Sequence, residues 1–342
     1  MHFLIRDKAD QHRTKKRVAI ILLFILLIAI TFVISVNVGA IRLSPAELFQ
    51  TILGNGTDQQ ELILFEFRLP RIIIAMLVGA GLAVSGCILQ GVARNPLAEP
   101  GILGITTGAG LMVVLALAYI PPDQSLPVGV MPFLSLAGGI VTAIIIYLLS
   151  FDKHNGLMPN RLVLNGIAVA AGLNALLIVV SLQLPEQQYD VLAVWMAGRI
   201  WGADWRFVLT LLPWVLVLLP YISLKARTLD ALTFGDEVAT GLGVTVEKER
   251  LKVVAASVGL ASACISVSGG IAFVGLIGPH LARKLIGPTH RFLIPLSAIA
   301  GGLLLLAADT IGKAVLQPSE IPAGIVVAII GAPYFLYLLS RS

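Results

Sequence analysis

Residues 67–111 read FRLPRIIIAMLVGAGLAVSGCILQGVARNPLAEPGILGITTGAGL, and this stretch decides the fold. Arg68 and Arg71 stand three apart, so on a helix they share one face. Pro70 lies between them, where proline is tolerated in a first helical turn, so the spacing predicts a helix start here. Residues 72–89 carry no charge and approach the ~20 residues needed to span a bilayer. Gly79, Ala80, Gly81, Ala83, Ser85 and Gly86 give that helix a small-residue face, the kind of surface on which membrane helices pack closely. The reading is a buried helix of a membrane bundle. A charged collar marks one end, an irregular Arg94-Asn95-Pro96 turn marks the other, and a second Gly-rich apolar helix follows.

Composition agrees. The chain of 342 residues is 57% hydrophobic and only 13% charged, where a soluble domain carries about 25% charged residues. A polytopic, all-α membrane protein follows, with one bundle taking up nearly the whole chain. The net charge of +5 is no signal for nucleic acid, because the basic residues gather in the N-terminal tail and short loops. Cys87 and Cys264 both lie in apolar runs and read as small buried hydrophobes. The first apolar run is too long for a cleavable signal peptide and lacks a small-residue cleavage site.

In chain order, residues 1–17 form a basic tail and residues 18–342 a transmembrane domain. Spans are expected at 18–36, 69–92, 97–119, 132–150, 161–182, 207–224, 253–270, 271–286, 292–311 and 322–339. Residues 37–66 make a polar excursion with a short helix over 45–53, capped by Ser44 and stopped by Gly54. Residues 185–204 hold another short helix, beside which Trp195, Trp201 and Trp205 suit a membrane interface. Ten spans put both termini on one side. Of the 24 Lys and Arg, 18 fall on that side; Arg42, Arg68, Arg71, Arg199, Arg206 and Lys313 fall on the other, so both termini are cytoplasmic. Residues 78–83 (VGAGLA) are echoed by residues 257–262 (SVGLAS) on a helix of opposite direction, a pattern of inverted-repeat transporters.

No catalytic constellation is visible, and the five histidines show no metal-ligand spacing. His280 reads either as a proton relay or ligand, or as a partner for backbone groups freed by Pro279. Asp309 lies in an apolar span with Lys313 four residues on, which predicts an ion pair at the helix end. No phosphate-binding loop is present, so energy for powered transport must come from another polypeptide. Residues 225–252 offer a docking place for it. Residues 228–232 and 236–240 read as two short helices, broken by Gly235 and ended by Gly241 and Gly243, with Asp236 as N-cap. Their Ala and Leu residues predict a small apolar face on the cytoplasmic surface, although a solvated connector is the alternative.

Several motifs recur in one known family. They are Arg68-Leu69-Pro70-Arg71, Asn95-Pro96-Leu97-Ala98-Glu99-Pro100, Ala239-Thr240-Gly241-Leu242-Gly243, the run from Gly270 to Gly278-Pro279-His280, Glu320-Ile321-Pro322-Ala323-Gly324 and Gly331-Ala332-Pro333. Together they resemble the FecCD permeases of bacterial ABC importers for ferric siderophores, haem and cobalamin, in order and over nearly the whole chain. Gly278 stands where the family often has Val or Ile, and Ile321 where Leu is usual.

The resemblance implies a ten-span, inverted-repeat permease of the type II ABC importer fold in the bacterial cytoplasmic membrane. It implies docking of an extracytoplasmic substrate-binding protein on Arg68, Arg71 and Lys313, the last a lysine where the cobalamin member has arginine. It implies a cytoplasmic gate at Asn95, Pro96 and Leu97 with His154, Asn155 and Gly156. Coupling to an ABC ATPase dimer would fall to Asp230, Leu232, Gly235, Asp236, Glu237, Ala239, Gly241 and Gly243. Spans five and ten would line a path shared with a second permease subunit, a paralogue or a second copy. Asn165, Asn174 and Thr142 are candidates to border it. This chain would carry no metal or cofactor of its own, ATP and Mg belonging to the ATPase, and would perform no enzymatic step. The cargo implied is an iron(III)-siderophore, with cobalamin or haem as alternatives. A secondary transporter without an ATPase is the competing class, disfavoured by the sparse charge inside the spans; a membrane enzyme ranks third.

Overall fold

The computed structural model describes residues 2–39, 44–119, 130–153, 156–200, 204–316 and 319–340. The chain opens with α1 (His2–Asn37). Helix α2 (Pro45–Ile52) follows, with Ser44 and Glu47 exchanging hydrogen bonds as a capping box and Gly54 in a left-handed turn after it.

The next helix departs from expectation. It does not start at Pro70. It starts at Asp58, capped by Thr57 and Gln60, and runs as α3 (Asp58–Glu61), a π-helical stretch (Leu62–Arg68) and α4 (Leu69–Ala93) without a break. Proline has no N–H to give the preceding turn. The chain absorbs that by widening the turn before it, so that the Leu69 N–H bonds back five residues to the Leu64 carbonyl. Trp205 pins the wide turn by donating its Nε1–H to the Phe65 carbonyl at 2.8 Å.

The remaining helices are α5 (Ile105–Tyr119), α6 (Val130–Ser150), α7 (Pro159–Ser181), α8 (Glu186–Met196), α9 (Trp205–Leu224), α10 (Ala226–Thr233), α11 (Asp236–Gly241), α12 (Val246–Ser268), α13 (Val274–Ile286), α14 (His290–Val315) and α15 (Ala323–Leu339). A small antiparallel hairpin, β1 (Phe151–Asp152) and β2 (Gly156–Leu157), joins α6 to α7, with Phe151 opposite Leu157. Among the described residues, seven helical stretches are long and apolar enough to cross a membrane; α5 and α15 are shorter apolar helices. The span expected from residue 97 is helical only from Ile105, because Pro96 and Pro100 break the ladder before it. The span expected from residue 271 is shortened likewise. Phe273, held left-handed at φ 67°, starts α13. Its first turn lies beside Leu82 and Gly86, roughly halfway along α4.

Helix α4 is the centre of the bundle: 20 of its 25 residues are buried. The small residues explain how. A Cβ on Gly79 would strike the carbonyl of Gly301 on α14, one on Gly86 the carbonyl of Gly275 on α13, and one on Gly81 the sulfur of Cys264 on α12. Backbone meets backbone toward α14 and α13, and backbone meets side chain toward α12, which is the packing that works where lipid removes the hydrophobic drive for helices to associate. The two Gly-Ala-rich echoes lie on facing antiparallel helices. Ser85 Oγ and Ser257 Oγ are 2.8 Å apart, and each hydroxyl also reaches the other residue's carbonyl, at 2.9 and 3.0 Å. Cys87 and Cys264 are free and buried. The outward faces of α1, α6, α7 and α9 are covered with exposed Leu, Ile, Val and Phe, as a lipid-facing surface requires.

Replacing Gly86 by Leu forces α4 away from α13, and overpacking of this kind costs roughly 1–3 kcal/mol or more. The G86L protein is expected to lose its sharp thermal transition in detergent, whereas G172A, where a Cβ meets nothing within 4 Å, keeps it.

Candidate functional site

Two polar clusters interrupt this apolar bundle, one at each end of α4. The first forms around Arg71 in the first turn of α4. Its guanidinium holds Asp309 of α14 bidentately, Nε and Nη2 donating at 3.0 and 2.8 Å to Oδ1. Nη1 donates to Glu320 at 2.7 Å, just before α15. Lys313 closes the cluster, its Nζ 2.7 Å from Asp309 Oδ2. The i, i+4 ion pair is therefore present, but it belongs to a larger network. Arg71, Asp309 and Lys313 are only 8%, 1% and 6% exposed. A buried charge persists only when its partners satisfy it in full, as two cations and two carboxylates do for one another here.

Arg68 does not share this face. Its guanidinium donates to the Val36 carbonyl at the end of α1, so the two arginines of the motif bind different helices. Arg68 is the last residue of the π-helical stretch and Arg71 lies in the first turn of α4, so regular α-helical spacing does not describe the pair. Beside the network lies an open cleft of about 340 Å³ lined by Arg71, Arg199, Ser319 and Glu320 among others. Arg199 is a partly exposed cation in that cleft and belongs to none of the family motifs; its one signal in the sequence is its place among the six basic residues expected on the side opposite the termini.

The second cluster starts where α4 ends. Arg94 caps it in the left-handed conformation, φ 49°, and leads into the Asn95-Pro96-Leu97 turn. Asn95 Oδ1 accepts the Leu97 N–H at 2.9 Å, which stiffens the turn. The chain then re-enters the bundle, and the buried Glu99 carboxylate accepts the Phe273 N–H at 3.1 Å at the start of α13. Gln90 bridges the same region, donating to the Gly275 carbonyl at 3.2 Å and accepting from Arg283 at 3.1 Å. A second cleft, of about 450 Å³, lies on this side, bordered by Asn95, Pro96, Leu97, His280, Lys284 and Tyr337. His280 packs edge-on against Tyr334 at 5.7 Å, and its Nε2 has no partner among the described residues. The expected backbone hydrogen bond from that nitrogen is absent. Gly156 ends the turn of the hairpin at φ 67°, while His154 and Asn155 lie outside the described residues.

Helices α10 and α11 correct the reading of residues 225–252. Leu229, Ala231, Leu232 and Ala239 are buried in the bundle, so the small apolar face points inward. Phe234, Val238 and Leu242, on and just after α10 and α11, are exposed, as is Leu251 on α12. Periodicity identifies a face but not the direction it takes. Gly235, at φ 110°, is the N-cap of α11, so Asp236 is not. The Asp236 carboxylate reaches Arg94 and Arg250 instead, each at 2.5 Å. Burial pushes that carboxyl up, but Arg250 and Arg94 outweigh it and hold it below its usual range. Asp230 anchors α10 by accepting from His290, the backbone N–H at 2.9 Å and Nδ1 lying at 2.6 Å. Glu237, Gly241 and Gly243 stay exposed. Of the polar residues expected along a path, Asn165 ties α7 to the Leu149 carbonyl at 2.9 Å, and Thr142 is buried against Gly108 of α5. No group of three or more His, Cys, Asp and Glu suited to a metal occurs among the described residues.

Comparison with known proteins gives a consistent result. Residues 26–341 match the FecCD transport family. The iron(3+)-hydroxamate import system permease protein FhuG of Bacillus subtilis is 48% identical over 96% of this chain and 99% of its own length. The Fe(3+) dicitrate transport system permease protein FecD of Escherichia coli is 38% identical, over 95% and 99%. The hemin transport system permease protein HmuU of Yersinia pestis is also 38% identical, over 96% and 97%. A solved chain described as an inward-facing ABC transporter of metal-chelate type superposes with a TM-score of 0.81 at 29% identity, covering 95% of this chain and all of that one.

The network around Arg71 yields a direct test. Asp309→Asn leaves Arg71 and Lys313 buried with one carboxylate between them, and breaking a buried pair costs ~3–5 kcal/mol. D309N is expected to melt well below the unaltered protein in detergent. The double variant D309N/K313M, which also removes a stranded cation, is expected to recover part of that loss.

Proposed function

The chain belongs to the FecCD transport family, and from that premise we propose that it is the permease subunit of an ABC importer that carries an iron(III)-siderophore across a bacterial cytoplasmic membrane. The observation that carries the reading is the near full-length identity of 48% to an iron(3+)-hydroxamate permease, joined to a fold shared with a metal-chelate transporter. Among chelates, the hydroxamate class is the first choice. The hemin permease, at 38%, makes haem the second.

Substrate arrives on an extracytoplasmic binding protein, which meets the outer cleft. Arg199 and Glu320 are the partly exposed charges there. Arg71 and Lys313 lie beneath, so an incoming carboxylate takes Arg71 by exchanging with Glu320. Arg68 supports this surface from behind by fixing α1. Such charge pairs chiefly set orientation and rate of encounter. Two permease subunits, a paralogue or a second copy, enclose the path; α7, whose most apolar stretch is only 11% buried within one chain, is a natural contributor. A cytoplasmic ATPase dimer binds ATP and Mg and presses on α10 and α11, where Phe234, Val238 and Leu242 stand exposed. The permease itself moves the chelate by alternating access and forms no bond with it. Both termini lie in the cytoplasm.

The reading is tested by labelled uptake in an iron-limited deletion strain across ferric hydroxamates, ferric catecholates, ferric citrate, haem and cobalamin. Loss confined to ferric hydroxamates is expected, and restoration by the cloned gene. Retention of every iron uptake with loss of cobalamin uptake would overturn the iron reading. Separately, Arg199→Glu is expected to weaken association with the binding protein at least tenfold at low salt without changing the melting temperature; unchanged affinity would remove the outer cleft from the docking surface.

A further inference from the structure

A single carboxylate ties the cytoplasmic helices to both segments that border the inner side. Asp236 is the first residue of α11. Its Oδ1 accepts from Arg94 Nη2 and from Arg250 Nη2, each at 2.5 Å. Arg94 stands immediately before the Asn95-Pro96-Leu97 turn, and its Nη2 also donates to the Leu232 carbonyl of α10 at 3.1 Å. Arg250, only 2% exposed, lies in the first turns of α12. Its Nη1 donates to the Leu157 carbonyl at 2.8 Å, and Leu157 is the last residue of the hairpin β1–β2. One polar chain therefore runs from the hairpin through Arg250, Asp236 and Arg94 to the turn.

Two features set this apart from an incidental surface pair. Arg94 takes a left-handed conformation that costs a non-glycine residue, at a position where glycine or asparagine is the usual choice. An arginine there places its guanidinium on α10 and α11 at once. Asp236, the first residue inside α11, turns its carboxylate to two arginines, while Gly235 leaves the helix without a side-chain cap. Arg94 thus gives up local backbone stability for a contact 142 residues away in the chain.

We propose that Arg94, Asp236 and Arg250 form a positioning tie that makes α11, the Asn95–Leu97 turn and the β1–β2 hairpin move as one. This rests on the reading above that an ATPase seats on α10 and α11. A displacement of α11 then pulls on the turn through Arg94 and on the hairpin through Arg250, so both inner segments respond to one input. Cutting either arm leaves one segment behind, and hydrolysis proceeds with less transport.

The test is made on the full importer in proteoliposomes, with permease, ATPase and binding protein, counting ATP hydrolysed per ferric chelate delivered. Arg94→Gln removes the arm to the turn, and Arg250→Gln the arm to the hairpin. Each is expected to raise that ratio at least fivefold with the ATPase still bound. Arg94→Lys keeps the charge on Asp236 and is expected to bring back part of the coupling. A loss that was merely structural would instead lower melting temperature and transport together at constant ratio. An unchanged ratio in R94Q, which removes an exposed side chain and leaves the core intact, overturns the proposal alone. Failure of the unaltered chain to retain an ATPase overturns the reading beneath it and the proposal together.

Discussion

Helix α4 is held by backbone contact, and most of the architecture follows from that. Water does not drive apolar helices together inside a lipid layer, because lipid tails are as apolar as leucine. Association must come from dispersion at close range and from the few hydrogen bonds available. Gly79, Gly81 and Gly86 let α14, α12 and α13 approach to the point where any side chain at those positions would meet a carbonyl or a sulfur. The paired hydroxyls of Ser85 and Ser257 add hydrogen bonds in the same interface. The outcome is a buried rod with one packed arrangement, whose interior has little room for adjustment.

A rod of this kind connects its ends. Its 25 residues extend about 37 Å at 1.5 Å per residue. Its N-terminal end carries Arg71 and its carboxylates, its C-terminal end Arg94 with Asp236. Between them, α13 begins halfway along, its first turn fixed by Glu99 and by Gln90. Non-helical backbone at that depth is tolerated only where protein satisfies its polar groups, and Glu99 does so for Phe273. The buried charges thus have assigned work: each stabilises a place where the bundle departs from continuous helix or where two helices meet.

How much of this the sequence revealed depends on how far each interaction reaches along the chain. The apolar runs, the Ser44 cap and the Asp309–Lys313 pair depend on spacings of a few residues, and they were legible. Pro70 misled because proline inside a helix normally ends it, and no local pattern announces that a π turn will absorb the missing donor. Arg71 finds Asp309 across 238 residues, and Arg94 finds Asp236 across 142; no spacing rule links such positions. Periodicity identifies the helices at 226–241, but their apolar face turns into the bundle rather than to the surface. A period of 3.6 shows that a face exists, and only packing decides whether it turns to the bundle or to a partner. Glu99 stood in a quoted motif, yet its role as a partner for Phe273 needed the fold.

The central claim is that this chain moves a ferric chelate with energy supplied by a separate ATPase. The most direct measurement is uptake of a labelled ferric hydroxamate into proteoliposomes holding this permease, its partner permease and the ATPase, with binding protein outside and ATP either enclosed or omitted. The account predicts accumulation only with enclosed ATP and Mg, insensitive to a proton ionophore. Accumulation without ATP that collapses on adding the ionophore would contradict it.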